Sequence, residues 1–266
     1  MHISIQPEVL FNLGPIPITN SILTSWIGSL LLIVLALLVG GNYKRLPSGL
    51  QSFFEMAYEM FENLAQDALG KSGLKFVPLA VTLFLFIVTG NWLGVMPGVG
   101  SLEFKGAPTA MVAEHKEGEA DAKKESEVHT PLFRGGNADL NTTFALSLIA
   151  MVTVHAAGIK SSGLKHHLAH FKNPLEIISE LSKVLSFGFR LFGNIFAGEV
   201  LLGAMAMLIF VLTGNKQTWH GLPGGLFATP FLFFELFVGF IQAFVFAVLT
   251  LSFLSLFYKT ETSGHH

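Results

Sequence analysis

Five apolar runs dominate this chain, and each is long enough to cross a bilayer, a crossing that takes about 20 residues as helix. They are Ile22–Val39, Phe76–Val95, Leu140–Ile159, Val184–Leu212 and Leu226–Tyr258. Hydrocarbon offers no partner to a free N–H or C=O, so such runs commit the chain to helix. The expected fold is an all-α integral membrane protein, a single polytopic domain over residues 1–266. Its spans are expected near 22–42, 76–96, 140–160, 178–212 and 226–258. Composition agrees: 51% of the residues are hydrophobic and 13% charged, where soluble domains carry about 25% charged residues. The 29 residues from Val184 to Leu212 measure about 43 Å as helix against a hydrocarbon core of about 30 Å. Both of the last two spans are therefore expected to be strongly tilted.

The segments between the spans are of two kinds. Residues 50–69 place Phe53, Met56, Ala57, Met60, Phe61, Leu64 and Ala68 at helical spacing, with Glu55, Glu59, Glu62 and Asp67 elsewhere. This predicts an amphipathic helix on the membrane surface or against a partner. Residues 101–137 hold seven of the eighteen acids, predicting a mobile, charged, exterior loop. With five alternating spans, Lys44, Arg45, Lys71, Lys75, Lys160, Lys165, Lys172 and Lys259 share one side. The positive-inside rule makes that side cytoplasmic, placing the N-terminus outside and the C-terminus inside. The first twenty residues lack the features of a signal or transit peptide, so no cleaved segment is expected.

Several function classes fall away. Zero cysteines exclude disulfides and thiolate metal sites, and a net charge of −2 with scattered Lys and Arg argues against nucleic-acid binding. Gly70-Lys71-Ser72 lacks the upstream glycine and preceding strand of a phosphate loop, since Ala65 stands where glycine is required. His166, His167 and His170 have no further ligands to complete a metal site. No metal and no cofactor is expected.

What remains are charges inside the apolar runs. Arg190 lies well inside the fourth run, and the residues three and four away are Ser186, Phe187, Gly193 and Asn194, none of them acidic. An intramembrane arginine costs about 2.5–3.5 kcal/mol on insertion scales, which makes it functional by default. With Ser186, Gly193, Asn194 and Ala197 it shares a face of small residues that lets another helix approach. The missing partner is thus expected on another helix. Glu199, nine residues on, is half a turn away with a rise of about 13.5 Å, too far for an ion pair within the helix. Because the last span runs the opposite way, depth matching pairs Glu199 with Glu235 and Arg190 with Gln242. Buried carboxylates can exchange protons near neutrality; arginine, which keeps its proton in proteins, cannot. Asp139, Glu176 and Glu180 supply acids at the two mouths, where helix N-terminal capping is the competing role.

The stretch FRLFGNIFAGE (189–199), followed by FIQAFVFAVLTLSFLS (240–255), resembles the signature of subunit a of F-type ATP synthases. ITNSILTSWI, NWLGVMPG at 91–98 and ADLNTTFALSL at 138–148 extend the resemblance over nearly the whole chain. It departs from that family in a longer charged insertion around 103–134 and in a Glu/Glu pair where many members carry one His.

The resemblance implies a non-catalytic, proton-translocating stator subunit of a bacterial inner membrane, multi-pass. Its partners would be the c-ring, the peripheral stalk b subunits and the rest of the complex. It makes Arg190 the essential separator of two half-channels facing the ring carboxylate, and Glu199, Glu235, Asn194 and Gln242 the lining of the proton path. Glu176 would stand near the cytoplasmic half-channel, with Asp139 counted at the outer mouth. A secondary transporter binding an anion at Arg190 is the competing class; it would favour internal repeats, and none is visible.

Overall fold

The computed structural model describes residues 7–14, 16–41, 43–45, 49–96, 103–104, 130–213 and 222–258. A short hairpin of β1 (Val9–Leu13) and β2 (Ile16–Thr19) opens directly into α1 (Asn20–Gly41). The apolar-run pattern did not foresee this hairpin. Then come α2 (Leu50–Leu69), a 3₁₀ turn at Gly70–Phe76, and α3 (Val77–Val95). A two-residue bridge, β3 (Glu103–Phe104) with β4 (Thr130–Pro131), closes the base of the charged insertion, most of which lies outside the described residues. The chain continues as α4 (Leu140–Ser162), α5 (Leu164–His170), α6 (Pro174–Thr213) and α7 (Leu222–Phe257).

Five helical stretches are long and apolar enough to cross a membrane: Asn20–Gly41, Leu50–Val95, Leu140–Ser162, Pro174–Met205 and Thr229–Phe257. α6 and α7 hold 40 and 36 residues, about 60 and 54 Å at 1.5 Å per residue, well beyond a perpendicular crossing. Both begin four residues before the spans expected at 178 and 226, because the first turn of a helix tolerates proline, Pro174 in α6 and Pro223 in α7.

α1 shows the solvent for which this surface is built. It buries Asn20, Ser21, Thr24 and Gly28, while Leu30, Ile33 and Leu37 are 62%, 57% and 70% exposed. Polar and small residues inside with leucines outside is the arrangement that lipid selects, since apolar side chains lose nothing there and polar groups need partners. The core sits between α2, α3, α4, α6 and α7, around Phe61, Ile87, Val154, Leu191, Phe246 and Leu251.

α2 corrects the expectation for its face. The buried row is Ala57, Phe61, Ala65 and Leu69, at steps of four, while Phe53 and Met56 stay outside at 54% and 69% exposure. Small Ala57 and Ala65 let this row press against α3 and α7, with the Phe61 ring 5.3 Å from that of Phe84 and 6.0 Å from that of Phe244. Phe61→Ala is therefore expected to destabilise the protein by about 3 kcal/mol, as core Phe truncations do. Thermal unfolding in detergent checks this, with Phe53→Ala expected to stay near wild type.

The end of the presumed mobile loop is a second correction. Gly135, Gly136, Asn137, Ala138 and Asp139 are buried. Gly135 lies so close to Gly94 of α3 that a Cβ at position 94 would stand 2.4 Å from the Gly135 Cα. Averaged charge over residues 101–137 hid this uncharged GGNA segment, which packs because its residues are small.

Candidate functional site

α6 and α7 pack side by side, and the polar residues of the fourth and fifth runs meet along their seam. Arg190 does not enter it. Its side chain points out of the helix bundle, with only Ser186 Oγ within reach of Nη2 at 3.3 Å. Among the described residues no carboxylate pairs with it. Gly193, Asn194 and Ala197 are exposed on the same face, and a Cβ built at Gly193 meets nothing within 4 Å. A charged guanidinium thus stands on an uncovered strip of small residues.

Behind that strip, Asn194 Nδ2 donates to Gln242 Oε1 at 2.7 Å, tying the α6 face to a glutamine only 5% exposed. Depth matching set Gln242 against Arg190; the structure sets it one helical turn further along, against Asn194. Glu199 and Glu235 do come together. Glu235 is 5% exposed and packs against Gly198, where a Cβ would lie 2.5 Å from Glu235 Oε1. Glycine at 198 is what admits the carboxylate between the helices. Among the described residues neither Glu235 oxygen has a hydrogen-bond partner. Glu199 itself is ion-paired with Arg134, whose Nη2 and Nε lie 3.1 and 3.3 Å from Glu199 Oε2.

Arg134 was not singled out in the sequence, because it sits at the end of a charged stretch that reads as solvated. The structure anchors it firmly. Its backbone N–H donates to Thr24 Oγ1 at 3.3 Å. Asn137 Nδ2 donates to Asn91 Oδ1 at 2.7 Å and Ile87 O at 3.0 Å, and Asn91 Nδ2 in turn donates to Gly239 O at 2.9 Å. One amide pair thereby joins the turn, α3 and α7 just where the acids lie. Asp139 closes the set: Oδ1 caps α4 by accepting from Asn141 N–H at 2.9 Å, and Oδ2 accepts from Ser21 Oγ at 3.0 Å. Its observed contacts are those of a cap and a clamp on α1, the role that competed with a place on the proton path.

At the other end, Glu176 lies half-buried in the first turn of α6, apart from the outer acids. Glu180, one turn on, is buried; Lys183 Nζ donates to its Oε1 at 2.6 Å, and His155 Nε2 stands 3.5 Å from its Oε2. His155 Nδ1 is 3.2 Å from His167 Nε2. The three-histidine segment thus contributes His167 to an interior cluster with α4, and a lone histidine inside an apolar run was the available signal for His155. Among the described residues no group of three or more metal-ligating side chains forms.

Comparison with known proteins gives this constellation a context. Residues 22–255 match the family model described as ATP synthase A chain. The chain is 30% identical to ATP synthase subunit a of Moorella thermoacetica, over 95% of its own length and 97% of that protein's. It is 31% identical to ATP synthase subunit a of Gloeobacter violaceus, covering 95% and 89% of the two chains. With ATP synthase subunit a of Mycobacterium ulcerans it is 32% identical, covering 93% and 90%.

Proposed function

This chain belongs to the ATP synthase A chain family, and from that membership together with the geometry above we propose that it conducts protons between the membrane and a rotating ring of c subunits. The observation that carries the reading is Arg190, without a carboxylate partner among the described residues, on an uncovered small-residue face, with Asn194 and Gln242 one turn on and the two acids further along the same helix seam. Such a face fits a second helix bearing a carboxylate at the same depth, because only small residues let two backbones approach while a buried charge requires its opposite.

In this reading protons enter from outside past Glu199 and Glu235 and reach a ring carboxylate near Asn194 and Gln242. They ride the ring around and leave toward the cytoplasm on the side of Glu176. Arg190 does not carry a proton, since it stays charged throughout. It obliges each arriving ring carboxyl to ionise and blocks direct passage between the two half-paths. The chain itself performs no bond chemistry; ATP is made or hydrolysed by other subunits, and the peripheral stalk b subunits hold this one still against the ring. The length of α6 and α7 suits strongly tilted helices that follow the curved wall of such a ring.

We further infer a bacterial inner-membrane location with the N-terminus outside. Cysteines at Lys165 and Leu13, the second 63% exposed, are expected to react with an impermeant label only from the cytoplasmic and only from the external side respectively. Reversed labelling would overturn the orientation. The proton-path reading is tested by purifying the chain with its complex and reconstituting it in liposomes. A ring of small helical-hairpin subunits should copurify, and ATP should drive acidification that stops when ring carboxylates are blocked with a carbodiimide. Copurification without a ring, or acidification indifferent to the block, would contradict it.

A further inference from the structure

The two outer acids are not equivalent in this structure, and the difference comes from Arg134. Its guanidinium places two nitrogens on a single oxygen of Glu199, at 3.1 and 3.3 Å, with side-chain exposures of only 11% for Arg134 and 24% for Glu199. Glu235, on the neighbouring helix, is buried, and among the described residues neither of its oxygens has a hydrogen-bond partner. We propose that Arg134 is a positioning residue of the proton path: it holds Glu199 as one half of a fixed ion pair and leaves Glu235 as the acid that exchanges protons.

Rigidity supports this assignment. A flexible surface arginine spends its charge in water, and such pairs contribute little. Arg134 instead begins a turn that hydrogen-bonds to α1 through Thr24, to α3 through Asn137, and back to α1 through Asp139, with Gly135 packed on Gly94. Each of these anchors lies within five residues of the guanidinium. Arginine also stays charged at every working pH, so Glu199 faces a cation throughout the cycle. A buried pair tolerates the loss of one member poorly, because the other charge is then left uncompensated. Glu235 has the opposite surroundings: buried polar atoms without partners are rare in folded proteins and call for an arriving ligand. Gly198 leaves the room that the Glu235 carboxylate itself fills, which holds this acid at the seam between the two helices. The inference rests on the proton-path reading and goes beyond it by assigning different tasks to the two acids.

The test uses whole complexes in liposomes, comparing wild type, Arg134→Gln, Arg134→Lys, Glu199→Gln, the double variant Arg134→Gln with Glu199→Gln, and Arg190→Ala. Proton flux is read against external pH, and assembly by copurification. Arg134→Gln and Glu199→Gln are each expected to slow flux by about tenfold, below the scale for a fully buried pair because this one is part-exposed. The double variant should recover to within about threefold of wild type, because removing both charges leaves neither stranded. Arg134→Lys should also recover most of the flux, and the external pH of half-maximal flux should move in Arg134→Gln but not in Arg134→Lys. A double variant as slow as the product of the singles would show that Glu199 carries protons itself and would overturn the proposal. So would wild-type flux in Arg134→Gln. Should Arg134→Gln fail to assemble, the double variant and Arg134→Lys decide alone. Arg190→Ala in the same series separates the two levels: if it leaves pumping coupled, the proton-path reading fails. If it uncouples while the Arg134 variants behave as wild type, only this inference fails.

Discussion

Replacing Arg190 with alanine is expected to reduce ATP synthesis and ATP-driven proton pumping by at least about a hundredfold, the scale seen when a single preorganised electrostatic group is removed. Passive proton leak through assembled complexes should rise in the same variant. The two effects have one cause. Among the described residues the guanidinium on the outer face of α6 is held only by Ser186, so its removal breaks no ion pair there and should leave the fold intact. On the proposed reading, what disappears is the cation that prevents a ring carboxyl from passing protonated between the half-paths. Arg190→Lys should fail too. A compact ammonium lacks the planar fork that presents several donors, and it can lose its proton where arginine cannot. Synthesis, ATP-driven pumping and leak measured on one reconstituted preparation check all three expectations.

Glu235→Gln is expected to lower proton flux by about a hundredfold, within the range for losing a general acid–base group, whereas Glu199→Gln should cost only about tenfold for the ion-pair reason given above. The ordering follows from what each carboxylate touches. Glutamine at 235 fits the same space beside Gly198 but cannot take up and release a proton. Histidine at 235 can, because imidazole titrates near neutrality, and Glu235→His should stay within about tenfold of wild type. Flux measured across external pH, with assembly checked separately, decides this. Equal losses from Glu199→Gln and Glu235→Gln would return the two acids to a shared role.

The parts of this molecule that were legible in the sequence are those on which the bilayer imposes a rule. An apolar run of sufficient length has one outcome, so α1, α3, α4, α6 and α7 could be placed to within a few residues. An arginine in such a run is too costly to be incidental, and helix periodicity alone put Arg190, Gly193, Asn194 and Ala197 on one face. Opposed helix directions were enough to bring Glu199 to Glu235. What could not be read were contacts made by short connecting segments. Arg134 and Asn137 lie in a stretch whose average composition is that of a solvated loop, and only tertiary contacts, the packing of Gly135 on Gly94 and the hydrogen bonds to Thr24 and Ile87, give them fixed positions. The buried row of α2 was misread for a related reason: two apolar rows adjoin on that helix, and which of them faces α3 and α7 depends on the small side chains at Ala57 and Ala65. His155 and Glu180 lie on different helices and meet only through the register of α4 against α6, which spacing within one helix cannot supply.

The central claim is that the Arg190 face of α6 lies against the rotating ring, and a disulfide tests it most directly. The chain has no cysteine of its own, and Gly193 offers open space for a new side chain. Gly193→Cys, combined with a cysteine one turn from the ring carboxylate on the outer helix of the c subunit, should form a cross-link on mild oxidation. That cross-link should stop ATP-driven pumping and release it again on reduction, while a cysteine at Val152, exposed on α4, should form none with the same ring position. Cross-linking from Val152 but not from Gly193, or a Gly193 cross-link that leaves pumping unaffected, would contradict the account.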